Sequence, residues 1–140
     1  MPRYIAVCWW TALLAMSTGL SSCVQGGFRA PTREFSGVWL YEFEGSTFVE
    51  GATEIPTHRP SYEDTDWLEP DQRLYDMLGG DWGEVDHLEC HRILPMRVTF
   101  TGYRVHYLIG GAGHFELWRS LVVAENTTSV ERLGPVFCFE

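Results

Sequence analysis

The chain has 140 residues, of which 45% are hydrophobic and 14% are aromatic. That length allows one small domain with a single core. The 19 acidic residues outnumber the 10 basic residues, all of which are arginine, so the formal net charge is −9. Because phosphate binding requires a basic surface, this charge excludes nucleic acid as an expected partner.

The first 22 residues have the pattern of an export signal. Arg3 supplies a positive charge, and residues 4–16 form an apolar run that contains a single polar residue, Thr11. Thirteen residues would rise only about 20 Å as a helix, which is less than the roughly 30 Å hydrocarbon core of a bilayer. We therefore expect a cleaved signal and not a membrane-spanning helix.

The end of this segment, Leu-Ser-Ser-Cys at residues 20–23, resembles the lipobox of bacterial lipoproteins. The resemblance implies cleavage before Cys23, transfer of a diacylglyceryl group to its sulfur, and acylation of the new amino terminus. Two or three acyl chains anchor a protein stably, whereas one chain binds only marginally. Val24 in the next position implies sorting to the outer membrane. The alternative is an ordinary secretory signal cut near residues 17–19, which would leave Cys23 as a plain thiol.

These features divide the chain into three parts. Residues 1–22 are the expected lipoprotein signal peptide, residues 23–35 the lipidated cysteine and a flexible tether, and residues 36–140 a single domain. The tether contains two glycines and a proline and has no apolar periodicity, which is typical of a flexible linker. Because Arg3 is the only charged residue of the signal, the mature chain would carry a net charge of −10.

Most of this negative charge falls in one central segment. Residues 50–89 hold twelve acidic residues against Arg59 and Arg73. A solvated loop and a short helix explain such a segment economically, and the alternative is a cation site or a surface for a basic partner. Asp64 and Asp66 begin like a calcium loop, but the following glycine and the later glutamate are missing, so calcium is not predicted.

Alternating apolar residues in the first half of the domain predict two strands and a helix. In residues 38–44, three aromatic side chains at every second position share one face, and residues 47–49 continue as a second strand. Residues 50–69 are polar and interrupted by prolines, so they are expected to be irregular. A helix over residues 70–78 would begin at a proline and end before Gly79.

The second half of the domain predicts longer strands. Residues 96–107 alternate with a change of phase at Gly102, which indicates a long strand with a bulge. A glycine turn at residues 109–113 precedes a strand at residues 114–125, and a turn at residues 126–128 precedes a final strand pair. The fold class is therefore mainly β, a small antiparallel OB-like barrel of five or six strands with one short helix. A lipocalin-like or other antiparallel barrel is the alternative.

Short motifs scattered over residues 36–125 also resemble a set of small uncharacterised envelope lipoproteins with an OB-like β-barrel domain. Their pattern is similar to that of envelope-stress lipoproteins linked to copper homeostasis. This chain departs from that pattern, because Gly51 stands where the pattern has a cysteine, and because no Cys-x-x-Cys occurs. Copper binding is therefore not implied. The motifs are Gly37-Val38-Trp39, Phe43-Glu44-Gly45-Ser46-Thr47-Phe48, Asp66-Trp67-Leu68 and Gly110-Gly111-Ala112-Gly113-His114-Phe115.

Two cysteines remain once those of the signal and the lipobox are set aside. In an oxidising compartment Cys90 and Cys138 are most simply a disulfide. Alternatively, His87, Cys90 and His91 form a metal site, since the two histidines would share a helical face and could hold zinc or copper with the thiolate. The same residues would place a histidine beside a thiolate nucleophile. Structural use of these residues is the simplest explanation.

Two further features concern the mouth of the expected barrel. His114 follows the glycine turn, where a side chain can face a barrel mouth, although a lone histidine there is more often a hydrogen-bonded structural residue. Several aromatic residues could line a ligand cavity, but core packing explains them more economically. These aromatic residues are Trp39, Tyr41, Phe43, Tyr103 and Tyr107.

The sequence thus predicts an outer-membrane-anchored periplasmic lipoprotein that acts as a binding or structural module and not as an enzyme. No cofactor is expected, and no motif of a nucleophilic or phosphate-binding site occurs. The expected partners are the membrane, through the lipid anchor, and other envelope proteins or a small ligand. A metal-binding or envelope-stress-sensing lipoprotein is the first alternative, and a small cell-envelope enzyme is the second.

Overall fold

The structure, a computed structural model, describes residues 27–79 and 90–140. The expected signal peptide, Cys23 and His87 lie outside these residues. Within the described ranges, no helix has the length and apolar character needed to cross a bilayer. The elements are β1 (Gly27–Arg29), β2 (Arg33–Glu42), β3 (Gly45–Glu50), β4 (Asp66–Glu69), α1 (Gln72–Leu78), β5 (Ile93–Tyr107) and β6 (Ser120–Arg132), with a 3₁₀ turn at His114–Glu116 before β6.

Five of the strands form a ring. Strand β5 pairs with β2, β2 with β3, β3 with β4 and β4 with β6, and β6 pairs back onto β5. The β4–β6 pair is parallel and the other pairs are antiparallel. The ring is partial, because β3 and β4 share only two paired positions. The mainly β fold with one short helix is therefore confirmed, as a six-stranded sheet with a partial barrel-like ring, and the sheet is mixed where a purely antiparallel one was expected.

Strand β5 is the longest element and bends as the sequence predicts. Its register with β6 shifts between Thr99 and Phe100, and again between Thr101 and Gly102. A Cβ atom on Gly102 would overlap the carbonyl oxygen of Val123. Glycine is therefore required at this position, because the two backbones approach too closely for any side chain.

The core lies inside the ring and includes a buried hydrogen-bond chain. Trp39 Nε1 donates to Ser46 Oγ at 2.9 Å, and this hydroxyl donates to the carbonyl oxygen of Leu68 at 2.5 Å. These hydrogen bonds join β2, β3 and β4 and add to the two paired positions that β3 and β4 share. The largest buried side chains include Trp39, Phe35, Phe48, Phe100, Leu68, Leu74, Met96 and Val98.

The sheet begins earlier than the sequence predicts. Strand β1 pairs with the end of β5, and β2 begins at Arg33. Residues 27–29 and 33–35 therefore belong to the sheet, where a flexible tether was expected. Residues 50–69, expected to be irregular, include β4. The sequences of these short strands do not alternate between apolar and polar residues. The strands form because they pair with partners that are distant in sequence.

The strand boundaries after β5 also differ from the prediction. His114 lies in the 3₁₀ turn, and β6 begins only at Ser120. Residues 126–128, expected to be a turn, lie inside β6. Side chains of α1 and of its amino-terminal cap bind the backbone at this point, since Asp71 accepts from Thr127 N at 2.6 Å and Arg73 donates to Thr127 O at 2.9 Å. The preference of asparagine and threonine for turns is overridden by these contacts.

Helix α1 is attached to β6 through its amino-terminal cap. Asp71 caps the helix by accepting from Leu74 N at 2.9 Å, while its other carboxylate oxygen accepts from Thr127 N. A helix of seven residues is too short to be stable alone. The single carboxylate of Asp71 therefore both begins the helix and fixes its position on the barrel.

Asp71→Ala is expected to lower the free energy of unfolding by about 2–4 kcal/mol. The cap contributes about 1 kcal/mol, and a buried N–H left without a partner costs about 1–3 kcal/mol. Asp71→Asn keeps an oxygen for the cap but offers an amide to Thr127, so its stability should lie between wild type and alanine. Urea denaturation of the three proteins measures this order. An alanine variant as stable as wild type would show that the helix is held by other contacts.

Candidate functional site

The clearest candidate site lies at one end of the barrel, where the turn between β2 and β3 meets the loop at residues 108–119. We call this end the mouth. His114 Nε2 lies 3.4 Å from Glu44 Oε2 and joins the two loops. Between them is a groove of about 330 Å³, within the size range of ligand sites. Its lining includes Glu42, Phe43, Glu44, Arg59, Tyr62, His114, Phe115, Leu117 and Trp118.

Three large apolar side chains at the mouth face solvent. Phe43 is 76% exposed, Phe115 is 80% exposed and Leu117 is 43% exposed. We call these three residues the apolar rim. Single exposed apolar residues are common, but a group of them around one groove is typical of a surface that binds something.

The loop that carries the rim is braced from below. Trp118 is buried and packs on Trp67 and Tyr62, with ring centroids 4.9 Å and 4.5 Å apart. Ala112 and Trp118 exchange backbone hydrogen bonds at 2.7 Å and 3.3 Å. A Cβ atom on Gly113 would overlap the Trp67 ring. The exposed rim therefore stands on a packed base and is not a frayed loop.

Backbone strain is concentrated at the same place. Within residues 27–79 and 90–140, the non-glycine residues with positive φ are Glu44 at 59°, Phe115 at 57° and Glu116 at 56°. A left-handed conformation costs about 1–2 kcal/mol for such residues. Strain of this kind clusters at functional sites, where the surrounding structure imposes it. Here it turns an aromatic side chain toward solvent.

The floor of the groove is a neutralised ion pair. Glu42 is buried and accepts two hydrogen bonds from the Arg59 guanidinium, at 2.6 Å and 3.1 Å. The hydrogen bond to Glu42 raises the pKa of Arg59 above its ordinary value. Because these charges satisfy each other, the groove offers mainly apolar surface to a partner.

Cys90 and His91, two of the three residues of the predicted metal site, lie beside the mouth. Cys90 and Cys138 lie at disulfide-bonding distance, with Cα atoms 6.2 Å apart. Cys90 and His91 line a second groove of about 480 Å³, which adjoins the rim at Phe43. His87, the third residue of the predicted metal site, lies outside the described residues. Residues 27–79 and 90–140 contain no group of three or more histidine, cysteine or acidic residues able to hold a metal.

Two described acidic residues of the central segment, Asp66 and Glu50, bind arginines of other strands. Asp66 accepts from Arg104 at 2.8 Å and 2.6 Å and from Ser120 at 2.6 Å. Glu50 binds both Arg33 and Arg104. These carboxylates therefore hold strands together, and the sequence prediction of a solvated segment missed them because their partners lie 17 to 54 residues away.

Stability should depend on the ionisation of Glu50. The hydrogen bond from Arg33 lowers the pKa of Glu50 from its ordinary 4.5, partial burial opposes this effect, and Arg104 reinforces it. A carboxylate whose pKa is lower in the folded state than in the unfolded state stabilises the fold at pH values above its unfolded-state pKa. That contribution is lost as the pH falls through the folded-state pKa. The stability difference between wild type and Glu50→Gln should therefore shrink below pH 4.5. Denaturation of both proteins at a series of pH values measures this stability difference. A difference that stays constant with pH would contradict the prediction.

Gly113→Ala is expected to disturb the mouth more than a matched glycine substitution elsewhere. Gly113 has φ 72° and its Cβ would overlap the Trp67 ring, whereas Gly51 has φ 77° and open space around it. Gly51→Ala should cost about 1–2 kcal/mol from φ alone. Gly113→Ala should cost more and alter the near-ultraviolet circular dichroism of the Trp67–Trp118 pair. Equal losses with unchanged spectra would show that the loop adapts freely.

Part of this site is predicted by the sequence. His114 is one of the residues that the sequence allows at the mouth, and the structure places it there, whereas the strand predicted at residues 114–125 gives no sign that Phe115 and Leu117 are exposed. Phe43 was assigned to the inner face with Trp39, yet it lies beyond the end of β2 and is exposed. Trp39 is fully buried, while Tyr41, Tyr103 and Tyr107 are partly buried. No family model, curated protein or solved structure matches the chain.

Proposed function

We propose that this protein is an envelope lipoprotein, anchored in the outer membrane through Cys23, whose periplasmic barrel binds a partner protein at the mouth. The anchor rests on the lipobox pattern at residues 20–23. The binding role rests on one observation above all: Phe115 is 80% exposed on a strained backbone, in a loop that a buried tryptophan holds in place.

The exposure of the rim favours a protein over a small enclosed ligand. A pocket for a small molecule buries most of that molecule's surface, whereas the rim residues project outward around an open groove. Burying one such side chain against a partner contributes about 1.5–3 kcal/mol. Three of them form the kind of apolar centre that carries the energy of a protein interface.

Charge around the rim indicates the chemistry of the partner. The carboxylate of Glu44 is about half exposed, and Glu116 beside Phe115 is also exposed. The whole chain has a net charge of −9. An apolar segment flanked by basic residues would complement this surface and would be attracted to it over a distance.

Site-specific photo-crosslinking in cells tests the proposal. A benzophenone amino acid at position 43 or 115 should yield the same discrete heavier adduct. The matched control is position 75 on α1, because Tyr75 is also largely exposed, at 62%, and should give no such adduct. Adding Phe43→Ser to the protein labelled at position 115 should reduce the adduct about tenfold or more.

Each other outcome contradicts a part of the proposal. An equal adduct from position 75 would mean non-specific capture. An adduct of twice the monomer mass would identify a second copy as the occupant. Absence of any protein adduct from positions 43 and 115 would leave the small-ligand alternative as the better account of the groove.

A further inference from the structure

A second exposed apolar surface lies at the edge of the sheet, away from the rim. Phe28 is 64% exposed, Leu108 is 74% exposed and Ile109 is 85% exposed. The register of β1 on β5 brings them together, since Phe28 pairs with His106 and Gly27 pairs with Tyr107. Leu108 and Ile109 follow directly. We call Phe28, Leu108 and Ile109 the anchor-side patch.

The chain enters the described fold at this patch. Gly27, the first residue of β1, lies opposite Tyr107, the residue before Leu108. Cys23 precedes Gly27 by four residues. Whatever conformation these residues take, four residues span at most about 14 Å. A tether of twelve residues, as expected from the sequence, would have allowed roughly 40 Å.

This short reach determines what the patch can meet. The polar headgroup layer of a bilayer is about 5–8 Å thick on each side of the hydrocarbon core. If the lipid chains of Cys23 lie in that core, the residues around Gly27 must lie at or near the headgroup layer. The three exposed apolar side chains are then already beside the membrane, and no encounter from solution is needed to bring them there.

The surroundings of the patch suit a phospholipid surface. The side chain of Arg29 is more than half exposed, and its guanidinium lies 3.6 Å from the Tyr103 ring centroid. Tyr103 and Tyr107 are partly buried on the same edge. Tyrosine and arginine are common where a protein meets lipid headgroups. Glu125 lies 3.5 Å from the Arg29 guanidinium and Glu69 lies within electrostatic range of Tyr107, so the exposed apolar side chains, and not a basic surface, carry the membrane contact.

We infer that the anchor-side patch lies in the membrane interface, with Leu108 and Ile109 inserted among the lipid headgroups. This inference rests on the proposed lipid anchor at Cys23. The contact fixes the orientation of the domain on the bilayer, so the barrel is docked against the membrane and does not swing on a long tether.

Depth-dependent fluorescence quenching tests the inference on the full lipidated protein. The protein is reconstituted into vesicles of phosphatidylethanolamine with a minor share of phosphatidylglycerol. An environment-sensitive fluorophore is attached at Ile109→Cys or, as control, at Glu131→Cys. Glu131 pairs with Arg97, which lies nine residues along β5 from His106, the partner of Phe28 in the patch, so the control lies roughly 30 Å of strand from the patch.

The inference predicts a blue-shifted label at position 109, quenched about threefold or more strongly by nitroxide lipids than the label at position 131. Leu108→Ser should reduce the quenching at 109. Equal quenching at both positions, in protein that floats with the vesicles, would overturn the inference while leaving the anchor intact. Protein that fails to float would overturn the proposed anchor, so the two failures are distinguishable.

Discussion

Arg104→Ala is expected to lower the free energy of unfolding by about 3–5 kcal/mol, the usual cost of removing one partner of a buried ion pair. Both carboxylate oxygens of Asp66 are bound by the Arg104 guanidinium, at 2.8 Å and 2.6 Å. The side chain of Asp66 is only 7% exposed. Asp66 is bound by Arg104 and by the hydroxyl of Ser120. Without Arg104, its buried carboxylate would keep only the Ser120 hydroxyl of these two partners.

The position of this pair explains why its loss should affect the whole barrel. Asp66 begins β4 and Ser120 begins β6, and these two strands form the parallel pair that completes the ring. Asp66 accepts hydrogen bonds from both Arg104 on β5 and Ser120 on β6. Asp66 and its two partners therefore align three strands at the β4–β6 pair, where the two neighbouring strands run in the same direction.

An exposed ion pair provides the matched control for Arg104. Arg119 and Glu63 lie 3.6 Å apart, with side chains 73% and 70% exposed. Arg119→Ala should change stability by less than about 0.5 kcal/mol, because exposed pairs contribute little. Chemical denaturation of both variants measures the contrast. Similar small losses in the two proteins would show that the Asp66 pair does not hold the ring closed.

The second large effect is expected on removal of the cysteine pair. Cys90 and Cys138 are separated by 48 residues, and closing a loop of that length stabilises a fold by about 4 kcal/mol in the chain-entropy model. The pair holds the carboxyl-terminal tail, where Val136 is buried and Phe137 exchanges backbone hydrogen bonds with Ile93. The double serine variant should therefore lose about 4 kcal/mol and release the tail.

Reductant supplies the control for this variant. Dithiothreitol should destabilise the wild-type protein by a similar amount and leave the double serine variant unchanged. Wild-type protein that is insensitive to reductant, with two thiols that react readily, would show that Cys90 is free. The metal-binding alternative that uses His87, Cys90 and His91 would then regain its ligand.

The parts of the fold that the sequence predicts correctly are those where local pattern and burial agree. Strand β5 alternates over most of its length, and Gly102 marks its bend. Helix α1 lies between a proline and Gly79, close to the predicted limits. In both elements the signal lies within about ten neighbouring residues, which is the range over which periodicity and capping act.

The rest of the fold depends on partners that are distant in sequence. Strand β1 has three residues and exists because β5 lies beside it. Strand β4 is held between β3 and β6 and carries no alternation of its own. The left-handed backbone at Phe115 lies in the loop whose base is the packing of Trp118 on Trp67, a contact between residues far apart in sequence. No local pattern indicates that an aromatic residue there will face solvent.

The most direct test of the account is the intact mass of the mature protein extracted from membranes, without reduction. The account predicts a chain that begins at Cys23 and carries a diacylglyceryl group and an amide-linked acyl chain. It should also be about 2 Da lighter than its fully reduced form, because one disulfide is present. An unmodified chain, or one cut near residues 17–19 with Cys23 as a plain thiol, would contradict the lipid anchor and the membrane docking that follows from it.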